Sequence, residues 1–418
     1  MSDEKYIFSA GAKKNVLITF VAGLILAAIG VVMMNMGGHD AHGAEAAADA
    51  GHHGFHWTKR LYANLWINNL FFTGLAAIGI FFIAIQYVAQ AGWSVGLKRI
   101  PMAMASWLPI GAILMIAVFL LANHDLFHWT HEYLYDKADA RYDEILDNKK
   151  GYLNFGFYMT RMIGFFGVWY LLFTQIRKQM LAEDIEGGVT SWKKNVTLSA
   201  IFLVFFGYSS SIAAWDWVMS IDPHWFSTMF GWYVFASWWV SGLALIAFIA
   251  VLLKDKGYLK IVNQNHLHDI GKFIWGFSIF WTYIWFSQFL LIYYANIPEE
   301  TIYFVERWRS DQYSVYFFLN LILNFFLPFL LLLPRDAKRH SRFLKVVPPI
   351  ILFGHWIDFY LMVTPGTLKE NGGFGLLEVG LIMVYASAFV YTVLHSLAKH
   401  PLVAKNHPMM EETLHHHI

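Results

Sequence analysis

The chain has 418 residues, of which 57% are hydrophobic, 14% charged and none cysteine, and its formal net charge is +1. Soluble domains carry about 25% charged residues, whereas here the apolar excess is gathered into long runs between short charged stretches. That pattern excludes a soluble enzyme and leaves no basic patch for a nucleic acid; the lack of cysteine excludes disulfides, Cys-ligated iron–sulfur clusters and haem c attached to this chain.

Ten runs are long enough to cross about 30 Å of hydrocarbon: 16–34, 63–88, 100–122, 155–176, 196–217, 228–253, 273–295, 313–333, 346–364 and 374–396. Each must be helical, because lipid offers the backbone no hydrogen-bond partners. The first exceeds the apolar core of a cleaved signal peptide and is read as a retained span. Residues 1–418 are thus expected to form a single all-α integral membrane domain. With the N-terminus inside, the inner segments 1–15, 89–99, 177–195, 254–272, 334–345 and 397–418 hold 3, 2, 4, 4, 5 and 2 basic residues, against 9 in the outer loops. This bias predicts that both termini are cytoplasmic, and an even number of spans requires them to share a side.

The loops differ in character. Residues 35–57 carry His39, His42, His52, His53 and His56 without the spacing of a tetrahedral metal site, and are read as a solvated loop. The outer segment 123–153 mixes aromatic and charged residues, as a surface helix docking on a partner would. His415, His416 and His417 are read as a tail or a remnant of expression.

Ionisable groups within spans are costly and call for a reason. Arg161 lies inside the fourth run and Asp216 at the outer end of the fifth, with Asp222 and His224 in the turn beyond. His355 and Asp358 are three apart, hence on one helical face, and Glu378 is one turn into the tenth run. One reading is a proton route or a quinol-facing site; the other is ion pairs that tie helices together, with Arg161 neutralising one carboxylate. Only His355 is deep enough to ligate a membrane haem, so a di-haem b core is excluded.

The stretch SSSIAAWDWVMSIDPHWFSTMFGWYVFASWWVSG, Ser209–Gly242, together with HDLFHWTHEYLYD after the third run, resembles the membrane subunits of bacterial alternative complex III, a quinol:cytochrome c or oxidase oxidoreductase. Among these it is most similar to the second large membrane subunit, the ActF type, a relative of the NrfD-like subunit of polysulfide reductase. The resemblance implies a bacterial inner-membrane subunit with two four-helix bundles, spans two to five (63–217) and six to nine (228–364), plus peripheral spans at 16–34 and 374–396. It also implies haem c and iron–sulfur clusters in partner subunits, a sister membrane subunit (ActC) as neighbour, phospholipids around the bundle and a terminal oxidase as a possible acceptor.

The expected role is a scaffold that also carries a proton half-path through Asp216, Asp222, His224, His355, Asp358 and Glu378, with Arg161 holding one carboxylate charged. Two alternatives stay open: a quinol- or lipid-binding module with a cavity lined by Trp215, Trp217 and Trp225, or an independent secondary transporter.

Overall fold

A computed structural model of the chain describes residues 4–37 and 57–417, so the histidine-rich stretch His39–His56 lies outside the described residues. Apolar length dictates the elements. Among the described residues, nine helices are long and apolar enough to cross a membrane. In chain order the major helices are α1 (Ala10–Gly37), α2 (Trp57–Val88), α3 (Arg99–Leu126), α4 (Phe155–Glu186), α5 (Thr190–Trp217), α6 (Phe230–Asp255), α7 (Gln264–Ala295), the short α8 (Pro298–Trp308), α9 (Ser314–Leu331), α10 (Ser341–Leu368) and α11 (Leu376–Leu397). Outside the nine are the short α8 and the long α4. The 32 residues of α4 reach about 48 Å at 1.5 Å per residue, but Arg161 and three glycines dilute its apolar stretch. Because it packs along α5 and α3 like the others, we describe it as a tenth span.

Helices α2, α3, α4 and α5 contact one another in a ring, and α6, α7, α9 and α10 form a second ring. The rings meet where α2 packs on α6 and α10. Being packed on all sides, these three central helices bury 78%, 83% and 72% of their most apolar stretch, against 17% for α1. The isolated bridge Lys5–Pro401 and the bond from Leu402 N–H to the Glu4 carbonyl (2.9 Å) put both ends of the described chain on one side of the bundle. That side is called inner below.

Helix α1 packs mainly on α11, through small residues. A Cβ on Gly30 would sit 2.5 Å from the Leu377 nitrogen, and one on Gly380 would sit 2.4 Å from the Ala27 nitrogen. Close backbone approach at small residues is how helices associate where lipid removes the hydrophobic drive. Gly380→Leu is therefore expected to detach α1 while both four-helix rings persist. Faster proteolysis within residues 10–37, with unfolding of the remainder unchanged, would show it.

Two expectations are corrected. The segment 123–153 is not one docking helix. It is a run of single turns and a short helix (Glu144–Lys149) folded onto the chain's own outer end, with Trp129 buried and its indole N–H donating to Ser220. Nor is the 415–417 segment free: the His416 ring meets Asp269 at 2.6 Å, and its carbonyl accepts from Asn263 and Asn265.

Candidate functional site

The intramembrane charges do not form one network; they separate into distinct partnerships. Arg161 on α4 and Asp216 on α5 face each other as a bidentate pair, Nε–Oδ2 2.6 Å and Nη2–Oδ1 2.9 Å. Tyr152 and Phe157 stack on the guanidinium at 4.0 and 4.2 Å. Glu378 is held by Arg60 of α2 (2.7 and 2.8 Å), by Asn64 and by the Gly375 N–H, so it also caps α11. Asp222 faces Arg307 of α8 at 3.5 Å, and the half-exposed His224 meets Asp143 at 2.6 Å. Arg60 and Arg307, read from the sequence as outer-loop charges, were missed as partners because nothing local reveals contacts that span up to 318 positions.

Asp358 differs from Asp216 and Glu378. It is fully buried on α10, ten residues before the outer end of that helix, a depth of about 15 Å along the axis. No arginine or lysine reaches it among the described residues. Four neutral donors surround its carboxylate: the Tyr233 hydroxyl, Ser237 Oγ (2.5 Å), Trp281 Nε1 (3.0 Å) and Asn320 Nδ2 (2.9 Å). They come from α6, α7 and α9, so Asp358 is the point where the other three helices of the second ring converge on α10. His355 Nδ1 stands 3.8 Å from the carboxylate, and neither ring nitrogen has a hydrogen-bond partner. Asn324 donates to the Asn320 side-chain oxygen at 2.5 Å.

The local backbone places these amides. Residues Ile322–Phe326 form a π-helical turn within α9, a widened turn often found at functional sites. Pro348 and Pro349 lie within α10, and Gly354 lets that helix approach Asn324: a Cβ there would sit 2.3 Å from its Oδ1.

Outward of Asp358 a small cavity, about 20 Å³, is lined by Tyr233, Gln288, Tyr303, Arg307 and Asn320 among others. It has room for one water molecule and enough polar partners to hold it. Arg307 then leads to Asp222, whose side chain is 30% exposed. Beside it on α8 sits Glu306, whose carboxyl is pushed up by burial and by the nearby Asp222. The sequence thus foresaw His355 and Asp358 as one unit, but not the hydroxyls, amides and α8 groups that complete it.

The proposed tryptophan-lined cavity does not form from the three named residues. Trp217 stacks on Phe166 at 5.0 Å and Trp225 on Tyr303 at 3.8 Å, in different aromatic clusters. Trp215 is partly exposed.

A second buried polar cluster closes the inner end and was not anticipated. Glu183 accepts from Tyr87 (2.9 Å) and Asn195 (2.7 Å), and the tail lays His407 3.8 Å from it. His407 Nδ1 accepts from the Met409 N–H at 3.1 Å, which leaves its proton on Nε2, facing Lys98 Nζ at 2.6 Å. That contact needs an amine lone pair, in keeping with burial pulling the Lys98 pKa down. Burial, with Lys98 (charged below about pH 7) and Arg99 alongside, lowers His407 to about 3. A histidine so depressed stabilises the docked tail at pH above 6.5, and the benefit fades as pH falls and the released tail takes up the proton. Docking is expected to weaken by about 2 kcal/mol between pH 7 and pH 5, at 1.36 kcal/mol per unit of pKa difference. Hydrogen exchange of residues 398–414 would accelerate over that interval, and His407→Gln would flatten the response.

The sequence matches no family model and no curated protein.

Proposed function

We propose that the chain is a membrane subunit of a quinol-oxidising respiratory complex of the alternative complex III kind, seated in a bacterial inner membrane with both termini cytoplasmic. In this reading it scaffolds the assembly and conducts protons through its second helix ring. Haem c and iron–sulfur clusters belong to partner subunits, and the sister membrane subunit packs beside it. The Ser209–Gly242 stretch supports the kinship. The single observation that carries the proton role is the Asp358 carboxylate, buried at depth among neutral donors while Asp216 and Glu378 each have an arginine.

The chemistry follows from the partner types. Ionised, the carboxylate accepts from all four donors. When it is protonated, the Tyr233 or Ser237 hydroxyl can rotate to accept, while Trp281 and Asn320 donate in either state. Asp358 can therefore gain and lose a proton without rearranging the helices. The proton moves outward through Tyr233 and the water-sized cavity to the Asp222–Arg307–Glu306 mouth; His355, with both nitrogens open, is its inward contact. Asp216 and Glu378, locked to Arg161 and Arg60, hold helices together and leave the path, which narrows the set of relay groups to His355, Asp358 and Asp222.

The test is isolation from native membranes. A subunit of such a complex co-purifies with haem-bearing partners and loses quinol-dependent proton release on Asp358→Asn. Purification of the chain alone in a functional state would overturn the reading in favour of a transporter. A transporter is also disfavoured by the helix breaks: the π-turn lies in the third helix of the second ring and the Ala105–Trp107 irregularity in the second helix of the first, whereas transporters break corresponding helices in both halves.

A further inference from the structure

A groove of about 840 Å³ opens on the flank of the bundle, between α1, α3 and α11. Its size falls within the roughly 300–1,000 Å³ of small-molecule sites, and its walls are apolar: Leu17 and Phe20 of α1, Ile110 and Leu114 of α3, Ala388 of α11. The groove is charged at one end only. Lys13 and Lys14, in the first turn of α1, lie on its rim at the inner side of the molecule. Both are exposed, and among the described residues no carboxylate lies within ion-pair distance of either.

The lining runs from Lys13 to Phe20 on α1, from Trp107 to Leu114 on α3 and from Val384 to Thr392 on α11, so the groove extends about 11 Å along the bundle at 1.5 Å per residue, most of the hydrocarbon depth of one leaflet. In the wall sits the ring of Trp107, 2% exposed, with its indole nitrogen enclosed by protein beside Gly111.

We propose that this groove is a specific site for an anionic phospholipid of the inner leaflet. The acyl chains fill the space between α1, α3 and α11, and the phosphate lies between Lys13 and Lys14. Two mobile ammonium groups at the membrane surface suit a phosphate, and a groove closed on three sides suits chains better than it suits a helix, whose girth would force α1 away from α11. The lipid then acts as packing between the otherwise lightly attached α1 and the body of the protein.

The experiment uses the full chain, with whatever subunits accompany it, extracted in mild detergent and observed by native mass spectrometry. It is then placed in nanodiscs of phosphatidylcholine alone or with one fifth phosphatidylglycerol. The expected result is a retained anionic phospholipid and a higher unfolding temperature with phosphatidylglycerol. Lys13→Gln with Lys14→Gln should reduce retention at least fivefold and abolish the phosphatidylglycerol response, while leaving unfolding in phosphatidylcholine unchanged. Ala388→Trp should expel the lipid with both lysines present. Equal retention by all three proteins, or an equal response to the two lipids, overturns the proposal. So does photo-crosslinking from position 110 to another polypeptide in place of lipid, which would make the groove a subunit interface.

Discussion

In a quinol-oxidising complex of the proposed kind, replacing Asp358 with Asn is expected to lower turnover on the order of a hundredfold, the low end of what a positioned proton-transfer group contributes. The substitution keeps shape and volume. It puts an NH2 where one carboxylate oxygen accepted, and the Tyr233 or Ser237 hydroxyl can turn to receive one of its two N–H groups, so stability should fall by about 1–2 kcal/mol. Activity and fold are thereby separable. Proton release in reconstituted vesicles, measured beside quinol oxidation and unfolding temperature, gives all three readouts. Full turnover with normal proton release in the Asn variant would remove Asp358 from the path. His355→Gln is a milder probe, since it removes a titratable ring that makes no hydrogen bond in the structure.

The opposite signature is expected at Arg161–Asp216. Asp216→Asn leaves a guanidinium buried in lipid-surrounded protein with no counter-charge, and breaking such a pair from one side costs about 3–5 kcal/mol. The measurable consequence is a loss of folded protein and a large drop in unfolding temperature, with little change in turnover per folded molecule. Arg161→Met combined with Asp216→Leu should recover most of the lost stability, because two apolar side chains in that place carry no desolvation penalty. Recovery in the double variant marks the pair as structural. If the double variant were stable yet inactive, Asp216 would belong to the proton path after all. Glu378→Gln should behave like Asp216→Asn, with the added loss of a negative charge at the start of α11.

These contrasts follow from partners, and partners were only partly visible in the residue order. His355 and Asp358 could be joined on helical period alone. Arg161 was marked by its cost in lipid, and one carboxylate was expected to neutralise it. Which one, however, depended on α4 and α5 lying side by side. Arg60 looked like an outer-loop cation until α2 met the start of α11, 318 positions away. Asn320 could be read either as lining a water path or as bonding a neighbouring helix, while Tyr233, Ser237 and Trp281 carried no signal, because hydroxyls, indoles and amides within a span usually bond a neighbouring helix and only occasionally surround a titratable group. His407 and Lys98 lay in segments that composition marks only as charged ends.

By itself, the sequence determined that this is a helical membrane protein of about ten spans, where those spans run, and which ionisable groups they carry. Apolar length and the cost of unpaired backbone in lipid leave no other solution. The tertiary structure decided the pairing: which carboxylates meet an arginine, that Asp358 meets none, and that the tail is folded under the inner end. Pairing depends on helix contacts between residues far apart in the chain. In lipid those contacts are selected by close packing and by the few polar groups that must find each other, and neither has a period that can be read along a single strand of text.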